Sequence, residues 1–323
     1  MQNRRILTWT VQATILAALA LVAAAPGAAA PDAGRGRHAA DAPSTLAEVR
    51  AREYKFLISP QRIQPTPEAT FREVWHRVQA SAARHGFTVT EKPVDPMKIE
   101  TSTKAYLDTR DQALWSRGYI IRVTTQDADG KPDALASVTV KAIHPDPSRT
   151  LATPLAVVGA GKVRLGAEEN IGFGPDGQLG DYLEKGASFS VPAGSLAGST
   201  LGDVGRYLPE LLRLGLPADT VLMRKPVRSY QVKPGTLVLG GGKPIAITME
   251  GWSTSEGGPP VAYDVSFGYS SAQAFGTSEA DRAARRFMVE VLHGADAGLW
   301  SADNDRWGGS KVRWLMDRPL PPR

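Results

Sequence analysis

Lysine and arginine are depleted in β-strands, yet several strand-like segments of this chain carry one at mid-length. In Ala51–Ile58, Tyr54, Phe56 and Ile58 share one face, and Glu53 and Lys55 take the other. Arg122 and Thr124 oppose Ile121 and Val123, and Thr139 and Lys141 oppose Val138 and Val140. Later, Thr248 and Glu250 oppose Ile247 and Met249, and Asp264 and Ser266 oppose Val265 and Phe267. Arg224 and Arg228 fall on one face of a basic segment. Such period-two alternation marks half-buried strands. An antiparallel sandwich would turn these polar faces to water. A closed barrel with an apolar outer layer under helices would instead gather the charges of several strands in one lumen.

The elements that must position these residues are mostly strands. Among 323 residues, Gly 32 and Pro 24 favour a turn-rich β structure, and 42% hydrophobic with 22% charged residues is ordinary globular composition. Thr66-Pro67-Glu68 reads as a helix start, with a Thr N-cap, Pro at the first position and an acid in the first turn. Phe71, Val74, Trp75, Val78 and Ala82 follow at helical spacing, and Gly86 closes the helix near His85. A late helix is expected within Glu279–Leu292, where Ala283, Phe287 and Val291 form a stripe. Residues 143–220 are long and Gly-rich and read as an insertion in a single domain spanning 48–323.

The N-terminus reads as an address. Arg4 and Arg5 precede an apolar run from Ile6 to Ala25, and Ala28-Ala29-Ala30 offers a cleavage site before Pro31. This is a secretory-signal pattern, so the chain is expected to be secreted or periplasmic, with 1–30 removed and 31–47 a flexible linker. Removal takes two Arg and no acid from a net charge of +5 and leaves +3. The excess is mild and no dense basic block occurs, so nucleic acid is not an expected partner. Nothing after residue 30 is long and apolar enough for a spanning helix, so no stable membrane insertion is expected after signal removal. The chain has no Cys, which excludes disulfides and thiolate sites. No G-x-S-x-G occurs, Gly161-Lys162 and Gly242-Lys243 lack the phosphate-loop spacing, and the five His show no metal spacing.

The order of the segments resembles the CYTH superfamily, the triphosphate tunnel metalloenzymes. The family's opening E-x-E-x-K strand is similar to Ala51-Arg52-Glu53-Tyr54-Lys55, with Ala51 in place of the first Glu. Tyr106-Leu107-Asp108-Thr109 resembles its Tyr-Phe-Asp-Thr segment. Leu114, Gly118 and Arg122 fit its R-x-R strand, with Thr124 in place of the second Arg, and Thr139-Val140-Lys141 fits its T-x-K strand. Arg224, Lys225 and Arg228 stand where it has a basic strand. Asp264-Val265-Ser266-Phe267-Gly268 resembles its late acidic strand, and Ser310-Lys311 its C-terminal Ser-Lys pattern.

This resemblance implies an α+β fold: an antiparallel closed β-barrel of about eight strands with helices packed outside. It implies a triphosphate or polyphosphate-type anion as ligand, held by Lys55, Arg122, Lys141, Arg224 and Arg228. Arg supplies bidentate contacts and Lys a point charge. Hydrolysis in such a tunnel needs Mg²⁺ or Mn²⁺ held by carboxylates and the phosphates themselves. The resemblance assigns the metal to Glu53, Glu250 and Asp264, and chemistry to Glu53 and Lys55. Ala51, Ser266 and Gly268 stand where the family has acids, and Glu168 and Glu169 are additional candidate acids. The lumen is thus expected to hold more Lys and Arg than carboxylates, to want an anion or water, and to hydrolyse weakly or only bind. The alternative is a periplasmic β-barrel carrier or surface protein with no phosphate ligand.

Overall fold

The computed structural model describes Val49 and residues 51–174, 177–240, 244–255, 257–270 and 279–318. The signal and linker expectations lie outside these residues. The strands are β1 (Ala51–Leu57), β2 (Val89–Glu91), β3 (Glu100–Asp108), β4 (Tyr119–Ala128), β5 (Lys131–Ile143), β6 (Arg164–Phe173), β7 (Leu179–Pro192), β8 (Met223–Val238), β9 (Pro244–Ser253) and β10 (Ala262–Ser270). The helices are α1 (Pro67–Arg84), α2 (Ala113–Ser116), α3 (Pro147–Ala152), α4 (Leu201–Gly205), α5 (Glu279–Arg286), α6 (Asp303–Trp307) and α7 (Lys311–Met316). α5 runs on into a π-helical turn, Phe287–Leu292.

The strands pair in the order β8-β3-β4-β5-β7-β6-β1-β10-β9, and β9 pairs back onto β8. The sheet is therefore a closed barrel of nine staves, with β2 added on the outside of β8. This excludes the sandwich and corrects the expectation of an antiparallel barrel of about eight strands. Nine strands cannot alternate direction around a ring, so one neighbouring pair must run parallel. That pair is β1 with β6, and every other pairing is antiparallel.

The hydrophobic core lies outside the barrel wall. Tyr54, Phe56, Ile247, Val265 and Phe267 point outward and pack on Phe71, Trp75 and Val78 of α1 and on Phe287 and Val291 of the late helix. A second layer covers β4, β5 and β7, where Ile121, Val138, Val140 and Phe189 meet Leu201, Leu208 and Leu211. Burying such side chains stabilises by about 1.5–3 kcal/mol each, so the apolar faces turn outward under helices and the polar alternates are left facing in. α1 begins as expected: Thr66 caps it, its hydroxyl accepting from the Ala69 N–H at 3.2 Å. Within 143–220, β6 and β7 are staves of the barrel, and the excursion that carries α4 lies between β7 and β8.

One opening in the wall places the end of the chain. The parallel pairing of β1 with β6 covers only Ala51–Tyr54. Beyond it, the Leu57 N–H donates to Asn304 Oδ1 at 2.7 Å, and Asn304 Nδ2 donates to the Leu57 carbonyl at 2.8 Å. The α6–α7 turn is Gly308-Gly309, both at positive φ. A Cβ on Gly309 would run into the Lys55 carbonyl, and one on Gly172 into the Gly308 carbonyl. These glycines let backbone lie directly on backbone in the cleft, so that α7 enters the barrel with Lys311 and Arg313 buried.

Candidate functional site

The lumen charges come from staves on all sides. Lys55 and Glu53 project from β1, Arg122 from β4, Thr139 and Lys141 from β5, Glu184 from β7, Glu250 from β9 and Asp264 from β10; all line one cavity. Lys311 of α7 joins them, with Tyr106, Trp252 and Ser266 between. Alternation explains the convergence: each residue is the polar alternate of a strand whose other face is buried under helices.

The charges are organised as two ion-pair groups. In the first, Glu250 accepts from Lys104, Lys311 and Ser229, and Lys311 also pairs with Asp264. The Lys311–Glu250 contact is 3.0 Å. In the second, Lys141 bridges Glu168, at 3.0 Å, and Glu184, while Lys55 lies 3.1 Å from Glu53. Arg122 stands apart from both groups: its Nη2 donates to Thr139 Oγ1 at 3.3 Å, and its Nε has no partner among the described residues.

Burial and pairing set the proton affinities. Burial pushes the Asp264 carboxyl up to about 6 against the pull of Lys311, with Glu250 adding repulsion. Burial also acts on Glu250, but Lys104 and Lys311 outweigh it and hold this carboxyl well below its ordinary value. Glu184 and Glu168 face each other across β6 and β7. Lys141 and Lys55 overcome burial at Glu184 and hold it at about 2. Burial and the neighbouring carboxylates raise Glu168. Like charges this close push their proton affinities apart.

The structure brings Glu53, Lys55, Arg122, Lys141, Glu250 and Asp264 together. It does not bring Arg224 or Arg228 in, and their expected place in the tunnel is corrected. Arg224 donates to the Leu196 carbonyl at 2.9 Å on the outer wall. Arg228 pairs with Asp127 and Thr103 there. In β8 the inward residues include Gln231, and Lys225, Val227 and Ser229 share its alternation. Glu169 likewise faces outward, paired with Arg52.

Lys104, Glu184 and Arg313 were missed by the sequence reading, and Lys311 was read only as part of a terminal pattern. Their signal was present: Lys104 is a mid-strand Lys, and Tyr182, Glu184 and Gly186 alternate with Leu183, Lys185 and Ala187. The lumen holds more Lys and Arg than carboxylates, as expected, but only by one. Glu53, Glu168, Glu184, Glu250 and Asp264 make five carboxylates, beside six cations: Lys55, Lys104, Arg122, Lys141, Lys311 and Arg313. Ala51 lies in register with Glu168 on the neighbouring stave, so β6 supplies an acid beside the position where β1 lacks one. Gly268 admits no side chain, because a Cβ there would lie within 2.5 Å of the Arg52 carbonyl.

A resident metal does not fit this donor set. Among the described residues no group of three acidic or imidazole side chains is placed to hold one, and the lumen carboxylates already face lysine ammonium groups. No helix of the described residues is long and apolar enough to cross a membrane.

A closed barrel wrapped in helices, with cations and carboxylates of many staves in its lumen, is the tunnel architecture that the sequence resembles. The chain has a CYTH-like tunnel fold. It is similar to the structure of a Hippeastrum protein described as a candidate adenylyl cyclase with a dominant triphosphatase activity, at 13% identity and TM-score 0.40, over 84% of this chain and 98% of that one. It is similar to a candidate adenylate cyclase from Bacillus halodurans at 12% identity and TM-score 0.35, over 85% and 94%. A candidate adenylate cyclase from Vibrio parahaemolyticus gives 10% and 0.31, over 83% and 98%. No family model and no curated protein matches the chain.

Proposed function

We propose that this tunnel binds triphosphate or polyphosphate-type anions. The observation that carries the reading is the convergence of Lys55, Lys141, Arg122 and Lys311, from three staves and the inserted helix, on one cavity. Arg122 offers guanidinium donors not committed to a carboxylate. Thr139, Ser266 and Ser310 add hydroxyls along the same wall. A phosphate chain would take over lysines now held by carboxylates, exchanging one charge-assisted bond for another.

The charge balance sets the form of the ligand. Six cations against five carboxylates leave the lumen only slightly positive, whereas a triphosphate carries several negative charges. We infer that the anion enters with Mg²⁺ or Mn²⁺, or with protons taken up by Asp264 and Glu168. Glu53, Glu250 and Asp264 remain the carboxylates assigned to a metal carried in this way. Glu53 and Lys55 remain the assigned chemical pair. Each is held by an ion pair in the free tunnel, so metal-dependent hydrolysis is expected to be weak and binding to be the main activity. Export, with cleavage after Ala30, is part of the proposal.

Isothermal titration of the mature protein with sodium tripolyphosphate, with and without Mg²⁺, tests the reading. Saturable binding that is tighter with Mg²⁺ is expected. No binding in either condition would overturn it and leave the ion pairs as a self-satisfied polar core, as in a carrier or surface protein without a phosphate ligand.

A further inference from the structure

Polar groups near Glu184 lie outside the set that lines the main cavity. Arg313 on α7 is 2% exposed, and both its Nη atoms lack a hydrogen-bond partner among the described residues. Its guanidinium carbon lies 3.9 Å from the centre of the Tyr182 ring, and the Tyr182 hydroxyl is also unpartnered. Directly across the β6–β7 pair from Tyr182 stands Asn170. It is wholly buried, with both Oδ1 and Nδ2 unsatisfied. Residues opposed in this way have Cβ atoms about 4.5–5.5 Å apart, so Asn170 and Tyr182 are direct neighbours, and Arg313 stacks on the Tyr182 ring beside them.

Buried polar atoms in folded proteins nearly always have partners, and a cluster of orphans points to something that completes them. The chemistry here is lopsided. The two Nη groups, the amide nitrogen and the phenol offer hydrogens, whereas only the amide oxygen and the phenol oxygen can accept. A ligand that satisfies them is rich in acceptors. It is also negative, because no carboxylate makes an ion pair with Arg313 among the described residues. Burial accordingly lowers the proton affinity of its guanidinium, against the opposing pull of Tyr182 and Glu184.

We propose that Arg313, Tyr182 and Asn170 form a second anion subsite, separate from the main cavity, that takes a single phosphate-type oxyanion. The group is either free orthophosphate or the end phosphoryl of a chain reaching past Lys55 and Glu184. None of its three residues lines the main cavity, so the orthophosphate form stands independently of the reading of that cavity, whereas the chain-end form rests on it. The Arg fork suits two oxygens of one phosphoryl group, with the Tyr182 hydroxyl and the Asn170 amide nitrogen left for its remaining oxygens.

Equilibrium dialysis with labelled orthophosphate, and titration with tripolyphosphate, test it on the mature protein and on Arg313→Met, Tyr182→Phe and the outer-wall variant Arg228→Met. If the ligand is free orthophosphate, Arg313→Met weakens its binding at least tenfold, Tyr182→Phe weakens it severalfold, and Arg228→Met leaves it unchanged. If the ligand is a chain end, orthophosphate binds poorly, and tripolyphosphate affinity falls tenfold in Arg313→Met. Tyr182→Phe removes only a hydroxyl and decides the matter should Arg313→Met not fold. Wild-type affinity for both anions in folded Arg313→Met and Tyr182→Phe overturns the subsite. So does a wild-type protein that binds neither anion. Failure of the main-cavity reading is read separately, as orthophosphate binding without tripolyphosphate binding.

Discussion

Glu250→Gln is the sharpest perturbation of the lumen. Its carboxylate faces Lys104, Lys311 and the Ser229 hydroxyl, and the three charged residues are each at most 5% exposed. Removing one member of a buried ion pair costs about 3–5 kcal/mol, because the partner is left charged and dry. Two features push the cost to the low end of that range. Asp264 remains to hold Lys311, and burial already lowers the proton affinity of Lys104, so Lys104 can shed its proton instead of staying charged. A loss of about 3 kcal/mol, at roughly 2–4 °C per kcal/mol for large domains, lowers Tm by about 6–12 °C at pH 7. The deficit shrinks as pH rises and Lys104 deprotonates. Tripolyphosphate should restore part of it, since a ligand at a hundred times its Kd stabilises by about 2.7 kcal/mol. Differential scanning calorimetry with and without tripolyphosphate measures both effects. An unchanged Tm would refute the enclosed Lys104–Glu250–Lys311 group, and a lowered Tm that tripolyphosphate does not raise would refute the exchange of carboxylate for phosphate.

Other outcomes follow from the same geometry. Lys141→Ala should weaken tripolyphosphate binding about ten- to a hundredfold, the loss of one hydrogen bond to a charged group at about 1.5–3 kcal/mol, whereas Arg228→Ala on the outer wall should leave it unchanged by titration. Asp264 has a folded-state pKa of about 6 against 3.8. The native protein therefore takes up a proton that the unfolded chain does not, and stability rises as pH falls from about 6 towards 4. Melting curves should show this rise flattened in Asp264→Asn. Glu184, held at about 2, acts in the opposite sense, and its stabilisation is lost as pH falls below about 4. Gly172→Ala drives a Cβ into the Gly308 carbonyl and should lower Tm and tripolyphosphate affinity together by displacing α7. Intact mass of exported material should begin at Pro31, and retention of residues 1–30 would overturn the cleavage.

The sequence by itself determined which face of most strands is polar. Period-two alternation in β1, β4, β5, β9 and β10 leaves one apolar face, and burial forces that face under helices, so Glu53, Lys55, Arg122, Lys141, Glu250 and Asp264 were legible as one set. The cap on α1 was legible too, because Thr66 and Pro67 act within one turn of chain. Three things were decided only by tertiary structure. β8 has apolar residues on both faces, Val227 inward and Val232 in the outer core, so alternation could not assign Arg224 and Arg228. An odd ring of nine strands requires one parallel pair, and no local pattern announces the number of staves. The third is α7, whose Lys311 and Arg313 enter the lumen only because the β1–β6 pairing stops at Tyr54 and glycines on both sides admit the turn. That depends on contacts between segments more than a hundred residues apart, a separation beyond the reach of spacing and periodicity.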